Sequence, residues 1–94
     1  NRERWDADYA MYARAKARLA WRTGRDTDGF ARRAPQLLQP GDTLRGGGIC
    51  IDGIVVAVSG MYAWYDKALA ASAAWFLRAI AKGRVAESDA AFLE

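Results

Sequence analysis

The dipeptide Asp52-Gly53, set between Ile49-Cys50-Ile51 and Ile54-Val55-Val56-Ala57-Val58, constrains the fold more than any other feature of the chain. A two-residue link of this kind closes a type I′ β-hairpin, whose central residues both need positive φ. Gly46-Gly47-Gly48 leads into the first run and Ser59-Gly60 ends the second. Both runs are almost continuously apolar, so the hairpin is expected to be covered on much of both faces.

Helices are expected on either side. From Asp6 to Thr23 the chain is rich in Ala, Arg and Leu and has neither Gly nor Pro, which favours a helix on propensity alone. Asp6 suits its N-cap, Asp8 the positive end of its dipole and Gly24 its C-terminal stop. Tyr9, Tyr12, Ala13, Ala17 (with Lys16 beside it) and Ala20 recur at helical spacing, with Met11, Ala15 and Leu19 on a neighbouring strip. Asp26, Asp28 and Gly29 make a turn, Phe30 to Arg33 one short helical turn, and Pro35 and Pro40-Gly41 punctuate the rest. A second long helix is expected from about Asp66, as its cap, to Lys82. Leu69, Ala73, Phe76, Leu77 and Ile80 would form its inner face, with Gly83 as its stop and a short helical tail over 84–94.

The pattern is α+β in the order helix, loop, β-hairpin, helix. Ninety-four residues suit one domain, here 1–94. A lone hairpin is marginal in water, and two helices do not cover both faces of strands this apolar. The sheet is therefore expected to gain strands from an upstream segment, another subunit or both. The chain begins at Asn1 without an initiator methionine, and the domain is read as N-terminally incomplete.

Several function classes are disfavoured. Histidine is absent, which removes the usual general base and the commonest ligand of zinc and haem. One cysteine, Cys50, allows no internal disulfide and no thiolate metal site. The net charge of +3 is mild for a nucleic-acid binder, and no apolar run is long enough for a membrane span. Partners are expected to be other copies or a different chain, with neither nucleic acid nor membrane, and the compartment is read as cytoplasmic. Asp52 belongs to the turn, Asp66 to a cap, Ser59 has no base in view, and Cys50 in an apolar strand has little reactivity. No catalytic pair can be named.

The candidate ligand groups are of three kinds. Gly46, Gly47 and Gly48 precede a strand and not a helix, so they do not make a Walker loop; the ordinary reading is close approach of backbone, the other close approach of a ligand. Arg14, Arg18, Arg22 and Arg25 form one basic stripe, which serves as a solvated face or meets carboxylates or phosphates. Tyr62, Trp64 and Tyr65 put three large rings into one short link, a pattern suited to an interface or a ligand wall. Trp5, Tyr9, Tyr12 and Trp21 surround the first helix and read as packing.

The segment from Ala13 through Lys16-Ala17-Arg18-Leu19-Ala20 to Gly24-Arg25-Asp26-Thr27 resembles the GlcG/HbpS family. That family has a Lys-Ala-x-Thr-Ala helix followed by a Phe-Gly-Arg-Pro-Thr-like turn. The likeness continues through Gly46-Gly47-Gly48, Asp52-Gly53, Val58-Ser59-Gly60 and Asp66, covering about residues 7–80. The resemblance implies a profilin-like domain, usually homo-oligomeric, with members that bind haem or serve corrinoid and glycolate-linked systems. The family's first helix and first strand pair have no counterpart here. Leu19, Thr23 and Asp26 stand where the family has Thr, Phe and Pro, and Gly48-Ile49-Cys50-Ile51 replaces Gly-Val-Pro-Ile, all near the family's ligand region. Any axial haem ligand would be Tyr, Cys, Met, Lys or a hydroxyl.

Two functions are therefore carried forward. The first is a small-molecule-binding module for haem or a related flat anionic cofactor, held by Arg14, Arg18 or Arg22, the three glycines and a wall of Tyr62, Trp64 and Tyr65. The second is a structural or accessory subunit of a multi-chain assembly. An enzyme completed by another chain ranks last, because this chain offers no activated group.

Overall fold

Helix α1, Arg2–Thr23, opens the fold; the computed structural model describes residues 2–88 and 90–92, with side chains described from residue 8 onward. α1 ends as its sequence predicts. Gly24 turns left-handed with φ 68° and donates its N–H to Ala20 O at 2.8 Å. The helix starts earlier than expected, so Asp6 lies within it and not before it. The side chains of Asp6 and Trp5 lie outside those described.

A short helix α2, Phe30–Arg33, and a 3-10 turn over Pro35–Leu37 follow. Phe30 and Ala34 pack on Leu19 of α1, with Leu38 beside them, and form the first of two small cores.

Strands β1, Gly48–Ile51, and β2, Ile54–Ala57, pair antiparallel with Ile49 opposite Val56 and Ile51 opposite Ile54. Asp52 and Gly53 have φ of 48° and 84°, both positive as a type I′ turn requires. Val58 donates its N–H to Gly47 O and extends the ladder past the strand end. Side chains alternate across a strand, so Ile49, Ile51, Ile54 and Val56 share one face. That face packs on α3, Ala63–Ala86, through Ala70 and Ala74, and makes the second core. Both long helices touch both strands. The opposite face meets α1 at Gly48, where a Cβ would lie 2.9 Å from the carbonyl oxygen of Lys16.

The two edges of the hairpin differ. Gly48 exchanges hydrogen bonds with Thr27, through Thr27 Oγ1 and Thr27 N–H, and Cys50 N–H donates to Asp26 Oδ1. The outer edge of β1 is thereby capped. By antiparallel alternation the N–H and C=O groups of Val55 and Ala57 point away from β1, and no described residue bonds them.

α3 corrects three expectations. It begins before Asp66, with Tyr62 as N-cap residue. It passes through Gly83 to Ala86, so 84–86 are its own last turn and the described residues beyond it are not helical. Its inner face is Asp66, Ala70 and Ala74, whereas Leu69, Phe76, Leu77 and Ile80 are half or more exposed. The hairpin lies so close that only small residues fit beneath the helix, and the large ones are turned outward.

The buried apolar side chains described are mostly alanines. The chain exposes 7010 Å², where a compact monomer of its 10.3 kDa exposes about 5,400 Å². Its radius of gyration is 15.6 Å, against about 12 Å for a compact domain of this length. A sheet with two described strands, an open edge and an uncovered helix flank contributes to both differences.

Candidate functional site

Lys16 is the least expected residue of the interior. It sits among the alanines of α1, 2% exposed, and donates to Val58 O at 2.8 Å and Asp66 Oδ2 at 3.2 Å. Asp66, in the first turn of α3, also accepts Met61 N–H through Oδ1 at 3.0 Å. One ion pair thus joins α1, the end of β2 and the start of α3. Gly47, with φ 115°, passes directly over it: a Cβ there would lie 2.9 Å from Lys16 Nζ, 2.9 Å from Asp66 Cβ and 2.8 Å from Val58 O. The glycine is required by both its backbone conformation and the space. Every buried side-chain polar atom described has a partner.

Above this pair opens a cavity of about 440 Å³, within the range of small-ligand pockets. Tyr9 and Tyr12 line it from α1, Arg45 and Gly46 from the glycine-rich lead-in, and Ser59 and Met61 from the link after β2, with Lys16 and Asp66 below. The Arg45 guanidinium lies over the Tyr12 ring, 5.0 Å from its centroid, a cation–π contact that holds a positive charge at the wall. Arginine, two phenols and a serine hydroxyl suit an anionic group on a ligand with a flat body, placed at the Arg45 wall and away from Asp8, which also lines the cavity. They contain no nucleophile beside a base.

The groups expected to bind from sequence are not gathered at this cavity, apart from Gly46. Gly47 and Gly48 are buried, and what approaches them closely is Lys16, Val58, Asp66 and Thr27 of the chain itself. Arg14 and Arg18, exposed on α1, and Arg25, exposed just beyond its end, lie outside the cavity lining. Arg22 is engaged elsewhere: it grips both carboxylate oxygens of Asp42, at 2.8 and 2.6 Å, and Leu37 O at 2.9 Å. That grip lowers the Asp42 carboxyl to about 2 and raises Arg22. Tyr62, Trp64 and Tyr65 are exposed and cluster with one another, Tyr62 and Trp64 stacked at 4.8 Å. They form an outer wall at the head of α3, outside the cavity lining.

Sequence reasoning passed over Arg45, Met61 and the Lys16–Asp66 pair as site residues. Arg45 carried one signal, its place directly before three glycines. The ion pair joins residues fifty positions apart, and its only trace was a lysine amid an alanine face. Among the described residues, no cluster of three or more His, Cys, Asp or Glu side chains is arranged to hold a metal ion, and no helix is long and apolar enough to cross a membrane.

Comparison with models of protein families, with curated proteins and with solved structures finds no match to this chain.

Proposed function

We propose that this chain is a small-molecule-binding module of the GlcG/HbpS type, profilin-like in fold, which takes a flat anionic ligand in the cavity between α1 and the head of α3. The observation that carries the reading is Arg45 held over Tyr12 at 5.0 Å, at the wall of a cavity whose floor is a satisfied ion pair. With Lys16 paired to Asp66 in the floor, Arg45 is the positive charge available to a ligand anion, and Asp8 is the acidic group that also lines the cavity. The basic stripe of α1 has no such setting, so Arg45 replaces Arg14, Arg18 and Arg22 as the carboxylate partner in this reading.

Haem is the cofactor that the family likeness brings forward. The donor types fit it: Tyr9 or Tyr12 as phenolate or Met61 as thioether could ligate iron, and Arg45 could pair with a propionate. When bound, haem would supply redox or gas-binding chemistry. The chain's own part would be to orient it and neutralise its carboxylate. Titration with haemin is expected to give a saturable Soret shift at one equivalent, weakened in Arg45→Ala and altered in position in Tyr12→Phe. Absence of any shift at micromolar haemin would sink the haem reading.

A second reading, a structural subunit of a larger assembly, rests on a different observation. The chain exposes about 1,600 Å² more than a compact monomer of its mass. This reading expects the chain alone to fold poorly and a second polypeptide to rescue it. A well-folded, cooperative monomer would count against it.

A further inference from the structure

The outer face of α1 takes no part in the cavity or in either core. Between Tyr9 and Arg25 the chain has no acidic residue. Lys16, within that span, is buried against Asp66, and Arg22 is held by Asp42. Arg14, Arg18 and Arg25 are exposed, and no described carboxylate lies within ion-pair distance of them. Arg14, Arg18 and Arg22 stand four residues apart, so they form one row that rises about 6 Å at each step. Trp21, 73% exposed, lies beside that row, three residues after Arg18 and four before Arg25. Next to Arg22 a groove of about 430 Å³ opens between the end of α1 and the 3-10 turn, lined by the exposed Gln36 and Gln39 with Leu37 and Leu38.

We propose that this face binds a single-stranded nucleic acid. Arg14, Arg18 and Arg25 meet phosphates of one strand, and Trp21 stacks on a base. The groove takes a further base, whose edge the Gln36 and Gln39 amides can both donate to and accept from. The net charge of +3, which argued against this partner in the sequence, averages over an uneven surface. The isoelectric point is about 9.4, and arginines gathered along one helix are the electrostatic footprint of such binding. Other anions fit less of what is present. An acidic peptide matches the arginines without needing a ring, whereas Trp21 offers a face on which any base stacks. A lipid surface favours a broad apolar face with basic residues opposite it, and arginines make up most of this one. A duplex keeps its bases paired and out of reach of Trp21. The face is separate from the cavity, so the proposal goes beyond the ligand reading and does not depend on it.

The test is fluorescence anisotropy of a labelled oligothymidylate of about fifteen nucleotides, titrated with the full chain at several salt concentrations. The proposal expects saturable binding with a log–log salt slope of about −2, the value for about three phosphate contacts on a single strand. Arg18→Gln should reduce the slope by about 0.7. Trp21→Ala should weaken binding about tenfold and leave the slope unchanged. Both side chains are exposed, so neither change opens the core. Arg84→Gln removes an equal charge from the exposed end of α3 and should leave affinity and slope as they are. Absence of binding at low salt overturns the proposal, and so does binding that Trp21→Ala leaves intact. Equal or tighter binding of a duplex of the same length, of polyglutamate or of phosphatidylglycerol vesicles overturns it too, and assigns the face to that partner. Haemin binding bears on the cavity alone.

Discussion

The two flanks of α3 differ in how far the chain itself completes them. On one, Ala70 and Ala74 lie under the helix, Lys67 meets Asp28 and Arg78 meets Asp52. On the other, Leu69, Phe76 and Ile80 face outward above a strand edge without described partners. The finished flank is made of small residues and ion pairs, and the unfinished one of the largest apolar groups. Alanines bury little area, and exposed ion pairs contribute about 0–1 kcal/mol each. Most of the large apolar side chains of α3 are thus left exposed by this protomer.

The largest expected effect lies at the anchor of the finished flank. Asp66→Ala would leave Lys16 buried and unpaired and free the Met61 amide, costing about 3–5 kcal/mol in urea unfolding. A double variant with Lys16→Met is expected to recover part of that loss. Full additivity of the two changes would contradict the pairing.

Gly47→Ala comes next, at about 1–3 kcal/mol, because its Cβ would meet Val58 O, Asp66 Cβ and Lys16 Nζ and its φ is 115°. The sharpest contrast between flanks comes from two adjacent residues. Ala70→Leu should overpack the hairpin contact by about 1–3 kcal/mol. In dilute protomer Leu69→Ala should change stability by less than about 0.5 kcal/mol. Equal costs at 69 and 70 would erase the distinction between the flanks.

A further effect, away from α3, depends on acid. Asp42 has its carboxyl lowered from 3.8 to about 2 by Arg22. A depressed carboxylate stabilises the fold fully above its ordinary value and loses that contribution as pH falls through the folded one. Stability is therefore expected to decline between those two values, and Asp42→Asn should flatten that part of the profile in a pH series of urea midpoints.

Legibility in the sequence followed locality. The hairpin was readable because Asp52 and Gly53 state their own φ requirement. The end of α1 was readable because Gly24 does the same. The α+β order follows from those two features and the helical composition around them. The stripe of α3 was identified correctly as a set, but assigned to the wrong side: periodicity ranks faces by size of apolar residue, and closeness to the hairpin selected alanine. The stop at Gly83 failed because one glycine costs only about 1 kcal/mol in a helix, and the helix continues through it to Ala86. The floor of the candidate site was illegible for another reason, since Lys16 and Asp66 meet only through the packing of both helices on the strands.

The central claim is that this protomer completes one edge of its hairpin and leaves the other open. The most direct measurement is amide hydrogen exchange on the ligand-free chain, comparing Gly48 and Cys50 with Val55 and Ala57. The account predicts protected amides at Gly48 and Cys50, which donate to Thr27 Oγ1 and Asp26 Oδ1, and fast exchange at Val55 and Ala57. Equal protection at all four would contradict it.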